Sequence, residues 1–294
     1  MIAPGLKPGG TIGVCSPSHI ARREKYQELL GVLRGLGFRV VEGGNLYKDT
    51  YVYGATPEER ADDFNRLIRD PEVELVLFGG GEGGNELLPL IDFDAVRRHP
   101  KRILSYSDST TILNAVWALT GLEVYYGQSP GHFRDLTDYN LNNFRAFLMG
   151  DAPAHIPSGP WQVQTGGVGE GVLVGGYLRN FAMLHGSRYY PIDLKQRYVL
   201  FLEDHEQFGG VDYVSAMLSH IEQTDFIHSV TGLLFGHYSE TSHPELLARI
   251  RRFGERWGIP SACCDDFGHG ANHAVLRIGH MARLDTDRGT LSYL

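Results

Sequence analysis

The sequence predicts an α/β protein: a parallel sheet covered on both faces, followed by a smaller mixed α/β unit. Three observations predict it. From Gly10 onward, short apolar segments alternate with amphipathic ones. The apolar segments are near-continuous, which marks strands buried on both faces. The alternation stops near Gly150, at DAPAHIPSGPWQVQTGGVGEG, where proline, glycine and serine gather with little apolar periodicity. This divides the chain into a first domain over 1–150, a crossover linker over 151–165 and a second domain over 166–294.

In chain order, TIGVCSPS reads as a buried strand ending in a turn, and REKYQELLGVLRGLG as a helix closed by glycine. FRVVEG is the next strand. TPEERADDFNRLIRD is a helix that Thr56 can cap, with Pro57 at its first position. The strand VELVLFGGG, a helix over NELLPLIDFDAVRRH, the strand KRILSYSD, the helix STTILNAVWALTG and the strand LEVYYG follow. Beyond the crossover, GVLVGGYL, YVLFLED and GLLFGHY read as strands, and VDYVSAMLSHIEQTD and HPELLARIRRFGERWG as helices. The tail HAVLRIGHMARLDTDRGTLSYL reads as strands joined by a DRG turn.

Composition narrows the function classes. In 294 residues, 27 Lys plus Arg stand against 35 Asp plus Glu, a formal charge of −8. A hydrophobic content of 42% can furnish a core in each domain, so disorder is excluded. The acidic balance lacks the basic stripe that displaces counterions from a phosphate backbone, so nucleic acid is not expected as a partner. No run of eighteen apolar residues occurs and the start of the chain does not resemble a signal peptide, so a soluble cytoplasmic protein with no membrane partner is expected. Cys15 stands alone and Cys263 and Cys264 are adjacent, which implies neither a disulfide framework nor a zinc cage.

Open parallel sheets bind ligands at the carboxyl ends of their strands, which draws attention to two loops. Gly79-Gly80-Gly81-Glu82-Gly83-Gly84 fits G-x-G-x-x-G between a strand and a helix. It reads in three ways: a dinucleotide cradle, a permissive turn, or a loop that lets the backbone approach a substrate and offer an N–H to a developing oxyanion. Ser105-Tyr106-Ser107-Asp108-Ser109-Thr110 sets a serine between a buried strand and a helix start, as in a nucleophile elbow, with Asp108 N–H facing the oxyanion position. The competing reading is ordinary helix capping by Ser and Asp.

A nucleophilic serine needs a base, and the base needs an orienting carboxylate. Among thirteen histidines, His269 lies between two glycines in DDFGHGANH. His273 completes an H-x-x-x-H spacing, but Gly268 and Gly270 oppose the helix a zinc pair would use, so no metal is expected. Glu203 ends the strand YVLFLED, with Asp204 and Glu206 as alternatives that local pattern does not separate.

TIGVCSPS, EERADDFN, GGGEGGNELLPLID, SYSDSTTIL, GGYL, LFLEDHE and FGHG together resemble, in order and over nearly the whole chain, the LD-carboxypeptidase family of serine peptidases, which includes the microcin C immunity peptidases. The resemblance implies a Rossmann-like first domain, no cofactor, and a catalytic set of Ser107, Glu203 and His269. It also implies an oxyanion site from the Asp108 amide and the amides of Gly81 and Glu82, with Gly80, Gly83, Asn85 and Trp161 toward the substrate. Asn85 before the L-L-P run is closer to the immunity branch; Trp161 could stack on a base or anchor the packing of the crossover. The chain departs from the family pattern at Ser105, at Glu82 and Glu86, and at Tyr177, which stands where asparagine is usual in G-G-N-L. A Glu82 pointing inward would repel a substrate carboxylate and favour an amine. The expected function is hydrolysis of an amide bond in a small peptide-like substrate through an acyl-enzyme. That bond is either the L,D bond of a muropeptide or the amide of a peptidyl- or aminoacyl-nucleotide. A homodimer is expected from the resemblance. The alternative from another class is a nucleotide- or ligand-binding module that uses the Gly79–Gly84 loop without hydrolysis.

Overall fold

A computed structural model describes residues 1–18, 21–51, 54–79, 81–134 and 136–294. Five strands of the N-terminal half are parallel: β1 (Thr11–Cys15), β2 (Arg39–Glu42), β3 (Val73–Phe78), β4 (Arg102–Ser105) and β5 (Val124–Tyr126). They lie in the order β5-β4-β3-β1-β2, a doubly wound arrangement whose direction of winding reverses at β1 and β3. The connecting helices are α1 (Arg23–Gly35), α2 (Pro57–Arg69), α3 (Phe93–Arg98) and α4 (Thr110–Thr120). Thr56 and Glu59 cap α2 reciprocally, the Thr56 hydroxyl accepting from Glu59 N–H at 3.2 Å and the Glu59 carboxylate from Thr56 N–H at 3.0 Å.

The single helix expected over NELLPLIDFDAVRRH is two pieces. A 3₁₀ segment, Gly84–Leu90, contains Pro89, which has no N–H to continue the ladder, and α3 restarts with Asp92 accepting from Ala95 N–H at 2.8 Å. After β5 the chain forms α5 (Asp138–Phe144), which runs into a π-helical turn, Arg145–Met149.

The crossover holds an element that its composition does not announce. β6 (Gln162–Thr165) pairs antiparallel with β10 (Ser261–Gly268) as the edge of a second sheet. None of its four side chains is fully buried, so it has no apolar signature. Between them lie β7 (Val168–Tyr177), α6 (Leu178–Leu184), β8 (Tyr198–Glu203), α7 (Val211–Glu222), β9 (Val230–His237) and α8 (Pro244–Trp257). Strands β7 to β10 are parallel neighbours. In the tail, β11 (Leu276–Ile278) crosses back to pair antiparallel with β5 in the first sheet. β12 (Met281–Asp285) and β13 (Thr290–Tyr293) complete the second, in the order β13-β12-β7-β8-β9-β10-β6.

One apolar cluster runs through both sheets, so their facing ends are set by a shared core. Glycines permit the closest approach. Gly175 has φ +142°, and a Cβ there would lie 1.8 Å from the Phe201 carbonyl oxygen. Gly175→Ala is therefore expected to lower stability by about 3 kcal/mol or more, from backbone strain plus overpacking. Gly31→Ala, at an open position inside α1, is expected to raise it by about 0.5–1 kcal/mol. Urea unfolding midpoints of the two variants check both signs.

Candidate active site

The loop after β4 is held in an uncommon conformation. Ser107 has φ +60°, the one positive φ outside glycine among the described residues. Such a residue costs roughly 1–3 kcal/mol and persists only where its surroundings fix it. Here Ser107 N–H donates to Tyr126 Oη at 3.1 Å, and Thr110 Oγ1 donates to the Ser107 carbonyl at 2.7 Å. The next residue, Asp108, is a buried junction. Its carboxylate accepts from Ser18 Oγ (2.6 Å), Gly84 N–H (2.6 Å) and Asn180 Nδ2 (2.8 Å), joining the loops after β1 and β3 to α6.

The capping alternative does not describe this loop. Ser109 Oγ donates to the Gly79 carbonyl at 3.2 Å, and no side chain caps α4. Ser105, where the elbow pattern has glycine, is accommodated because its hydroxyl donates to the Phe78 carbonyl at 2.6 Å.

The second sheet brings its own strand ends to this point. Glu203, fully buried, closes β8, and Gly268 closes β10 with φ +114°. His269 then projects between them: Nδ1 is 2.8 Å from Glu203 Oε2 and Nε2 is 2.9 Å from Ser107 Oγ. A carboxylate at Nδ1 holds the proton there and leaves the Nε2 lone pair facing the hydroxyl. Hydroxyl, imidazole and carboxylate in one hydrogen-bonded series are the parts that activate a serine.

Of the two other acids after β8, Asp204 accepts from the His205 N–H that follows it, at 2.8 Å, and exposed Glu206 meets His243 at 3.1 Å. Burial lowers the His269 pKa, but the charge and hydrogen bond of Glu203, with Asp204 nearby, outweigh it and leave the imidazole above its ordinary value. Burial, with the Glu203 charge, pushes Asp204 up to about 6 against the pull of its backbone hydrogen bond.

Several participants are not visible in local sequence. The Tyr126 hydroxyl donates to Glu203 Oε1 at 2.5 Å while accepting from Ser107, and Asn180 and Ser18 hold Asp108. Only the period of LEVYYG marks Tyr126, and a strand period says nothing of a partner in another sheet. Tyr106, Tyr177 and Phe208 surround the His269 ring at centroid distances of 5.0, 5.1 and 5.0 Å. Phe208 is 46% exposed and marks the mouth.

The expected substrate-side residues separate. Gly80 lies outside the described residues. Gly81 and Gly83 take φ +133° and +98°, and Asn85 is exposed on the 3₁₀ segment. Glu82, with a side chain 75% exposed, faces Arg179 at 3.8 Å, whereas Glu86 is paired with buried Arg60. Trp161 donates its indole N–H to buried Asp266 at 2.7 Å, a carboxylate that also meets His155 at 2.8 Å. With the indole partly buried against the core, these contacts support the anchoring role.

His273 does not pair with His269 as a metal ligand would; its ring stacks on His132 at 3.6 Å. Among the described residues no group of three or more His, Cys, Asp or Glu side chains is arranged to hold a metal, and no helix is long and apolar enough to cross a membrane.

Comparison with known proteins bears on this geometry. The LD-carboxypeptidase N-terminal domain matches residues 12–127 and the LD-carboxypeptidase C-terminal domain residues 170–284. A protein of Vibrio cholerae whose name is that of a carboxypeptidase is 31% identical, over 80% of this chain and 79% of its own. The microcin C7 self-immunity protein MccF of Escherichia coli is 26% identical, over 80% of this chain and 78% of its own. A solved structure of MccF in complex with aspartyl sulfamoyl adenosine has a TM-score of 0.87 at 25% identity, covering 100% of this chain and 98% of that one. A muramoyltetrapeptide carboxypeptidase from Oxalobacter formigenes has a TM-score of 0.82 at 23% identity, covering 96% and 97%. With both halves matched in order, the chain belongs to the LD-carboxypeptidase family of serine peptidases, and its reaction is the hydrolysis of an amide bond.

Proposed function

We propose that Ser107 is the nucleophile, His269 the general base and Glu203 the acid that orients and charges it. The observation that carries the reading is the unbroken series Ser107 Oγ, His269 Nε2, His269 Nδ1, Glu203 Oε2, at 2.9 and 2.8 Å across two sheets. His269 takes the hydroxyl proton as Ser107 Oγ attacks the amide carbonyl. The Asp108 N–H and an amide of Gly81 or Glu82 receive the oxyanion, with the N-terminus of α4 behind them. The C–N bond then breaks and the leaving amine takes the proton from His269, giving an acyl-enzyme. Water, deprotonated by His269, attacks the ester, and its proton returns to Ser107 as the acid departs.

In this reading residues 1–150 carry the nucleophile and residues 166–294 the acid–base pair, and the substrate lies between them, where ligand clefts are common. Two substrate classes fit: a muropeptide cut at its L,D bond, and an aminoacyl or peptidyl group amide-linked to a nucleotide. MccF, solved with aspartyl sulfamoyl adenosine, and the muramoyltetrapeptide carboxypeptidase represent one each. Glu82 does not separate the two classes: it is exposed and faces Arg179 at 3.8 Å, where the guanidinium balances its charge. The protein is taken to be cytoplasmic, as composition suggests, and a homodimer, on family resemblance.

The test is incubation of the purified protein with a muramoyl tetrapeptide and, separately, with aspartyl sulfamoyl adenosine, the products being read by mass. Release of D-alanine or of aspartate by the wild type and not by Ser107→Ala is expected. Equal release by both proteins would overturn the reading.

A further inference from the structure

The hydroxyl of Tyr126 sits where the two halves of the site meet, and the mechanism above does not use it. The residue ends β5, between β4 on one side and β11 on the other, and is fully buried. Its ring packs against Phe201 of β8 at 5.4 Å. Gly176 has no space for a Cβ beside it, since one would lie 2.9 Å from Tyr126 Cε2. The ring is thus closely packed between β7 and β8.

From that fixed position Oη accepts the Ser107 N–H at 3.1 Å and donates to Glu203 Oε1 at 2.5 Å. Both partners depend on it. Ser107 N–H belongs to the strained φ +60° residue, and a buried N–H without an acceptor carries the full cost of its desolvation. Glu203 Oε2 is committed to His269, so the hydroxyl occupies the other oxygen of a carboxylate with no exposure to water.

We infer that Tyr126 is a positioning residue of the hydrolysis: one hydroxyl fixes the nucleophile's backbone and the orienting carboxylate relative to each other. The inference rests on the proposed roles of Ser107, His269 and Glu203. Three consequences follow from the geometry. The nucleophile's own N–H is turned away from the oxyanion, which leaves that task to the Asp108 amide. The Glu203 carboxylate cannot rotate out of line with Nδ1. Its charge is shared between two donors, which moderates its pull on the imidazole proton. The phenol remains a neutral donor, because burial and the Glu203 charge raise its pKa well above the ordinary value.

The experiment compares kcat, KM and the acid limb of the kcat/KM profile in the wild type, Tyr126→Phe and Tyr125→Phe, with a thermal melt of each. Tyr126→Phe keeps the ring and removes both hydrogen bonds. We expect kcat to fall about 10- to 100-fold with KM within about threefold. The acid limb should move to higher pH, because Glu203 with one donor fewer holds the His269 proton more tightly. Tyr125→Phe removes the neighbouring phenol, which makes no contact with the triad, and should leave kcat and the acid limb unchanged.

Incorporation of 3-fluorotyrosine at position 126 keeps the ring and strengthens donation, and should move the acid limb to lower pH. It tests the same claim even if the phenylalanine variant does not fold. A lowered melting temperature with an unmoved acid limb in both position-126 variants would overturn the inference. Absence of Ser107-dependent turnover in the wild type would instead overturn the proposed function.

Discussion

Ser107→Ala and His269→Ala are each expected to lower kcat by about 10⁶-fold, close to the loss from removing the whole catalytic set, because the members act as a unit. The reason lies in the 2.9 Å contact between Ser107 Oγ and His269 Nε2. Without the oxygen no bond to the carbonyl forms, and without the imidazole the hydroxyl proton has no acceptor at neutral pH. Stability should move little in Ser107→Ala, since alanine keeps the backbone contacts to Tyr126 and Thr110. Ser107→Gly separates the effects further. Glycine relieves the φ +60° strain, so the variant should be as inactive as Ser107→Ala yet melt higher than it does. Turnover beside a calorimetric melt of the three variants checks this.

Glu203→Gln should lower kcat by about 10⁴-fold. The amide is isosteric, but it cannot carry the charge that stabilises the imidazolium, and its NH₂ can face Nδ1 and so favour the wrong tautomer. The pH behaviour follows from the cause of the His269 shift. Burial lowers that pKa and the Glu203 charge and hydrogen bond raise it further than burial lowers it, so without them burial prevails. The residual activity of Glu203→Gln should therefore show its acid limb at lower pH than the wild type, opposite to Tyr126→Phe.

Stability carries the same linkage. A folded-state pKa above the unfolded value, about 6.5, contributes stability that is fully present below that value and is lost as pH rises through the folded pKa. The deficit of Glu203→Gln in urea midpoint should accordingly be larger at pH 5.5 than at pH 8.5. A deficit independent of pH would detach Glu203 from the His269 proton.

The elbow is half legible in the residues: a buried run, KRILSY, meets a helix start at the end where parallel strands place chemistry, but Ser and Asp there read equally as caps, and only the structure shows α4 without a side-chain cap. His269 is legible because two glycines leave an imidazole no helix to join. The choice of Glu203 over Asp204 and Glu206 is not, because it depends on which acid closes β8 beside Gly268. Tyr126 is hidden for the same reason, since its importance lies in Glu203, 77 residues away. β6 has no buried face to give it a period, and α6 follows β7 without a side-chain cap, so neither leaves a local mark. Pattern carries what neighbours in the chain decide, and loses what two sheets decide together.

In the proposed mechanism a hydroxyl of the first sheet is activated by an imidazole and a carboxylate of the second. Intact-protein mass after exposure to a serine-reactive fluorophosphonate tests it most directly. One adduct per chain is expected, mapped to Ser107, forming at a rate that rises with pH through the His269 pKa and is abolished in His269→Ala. An unmodified wild-type chain, or an adduct on any other residue, would contradict it.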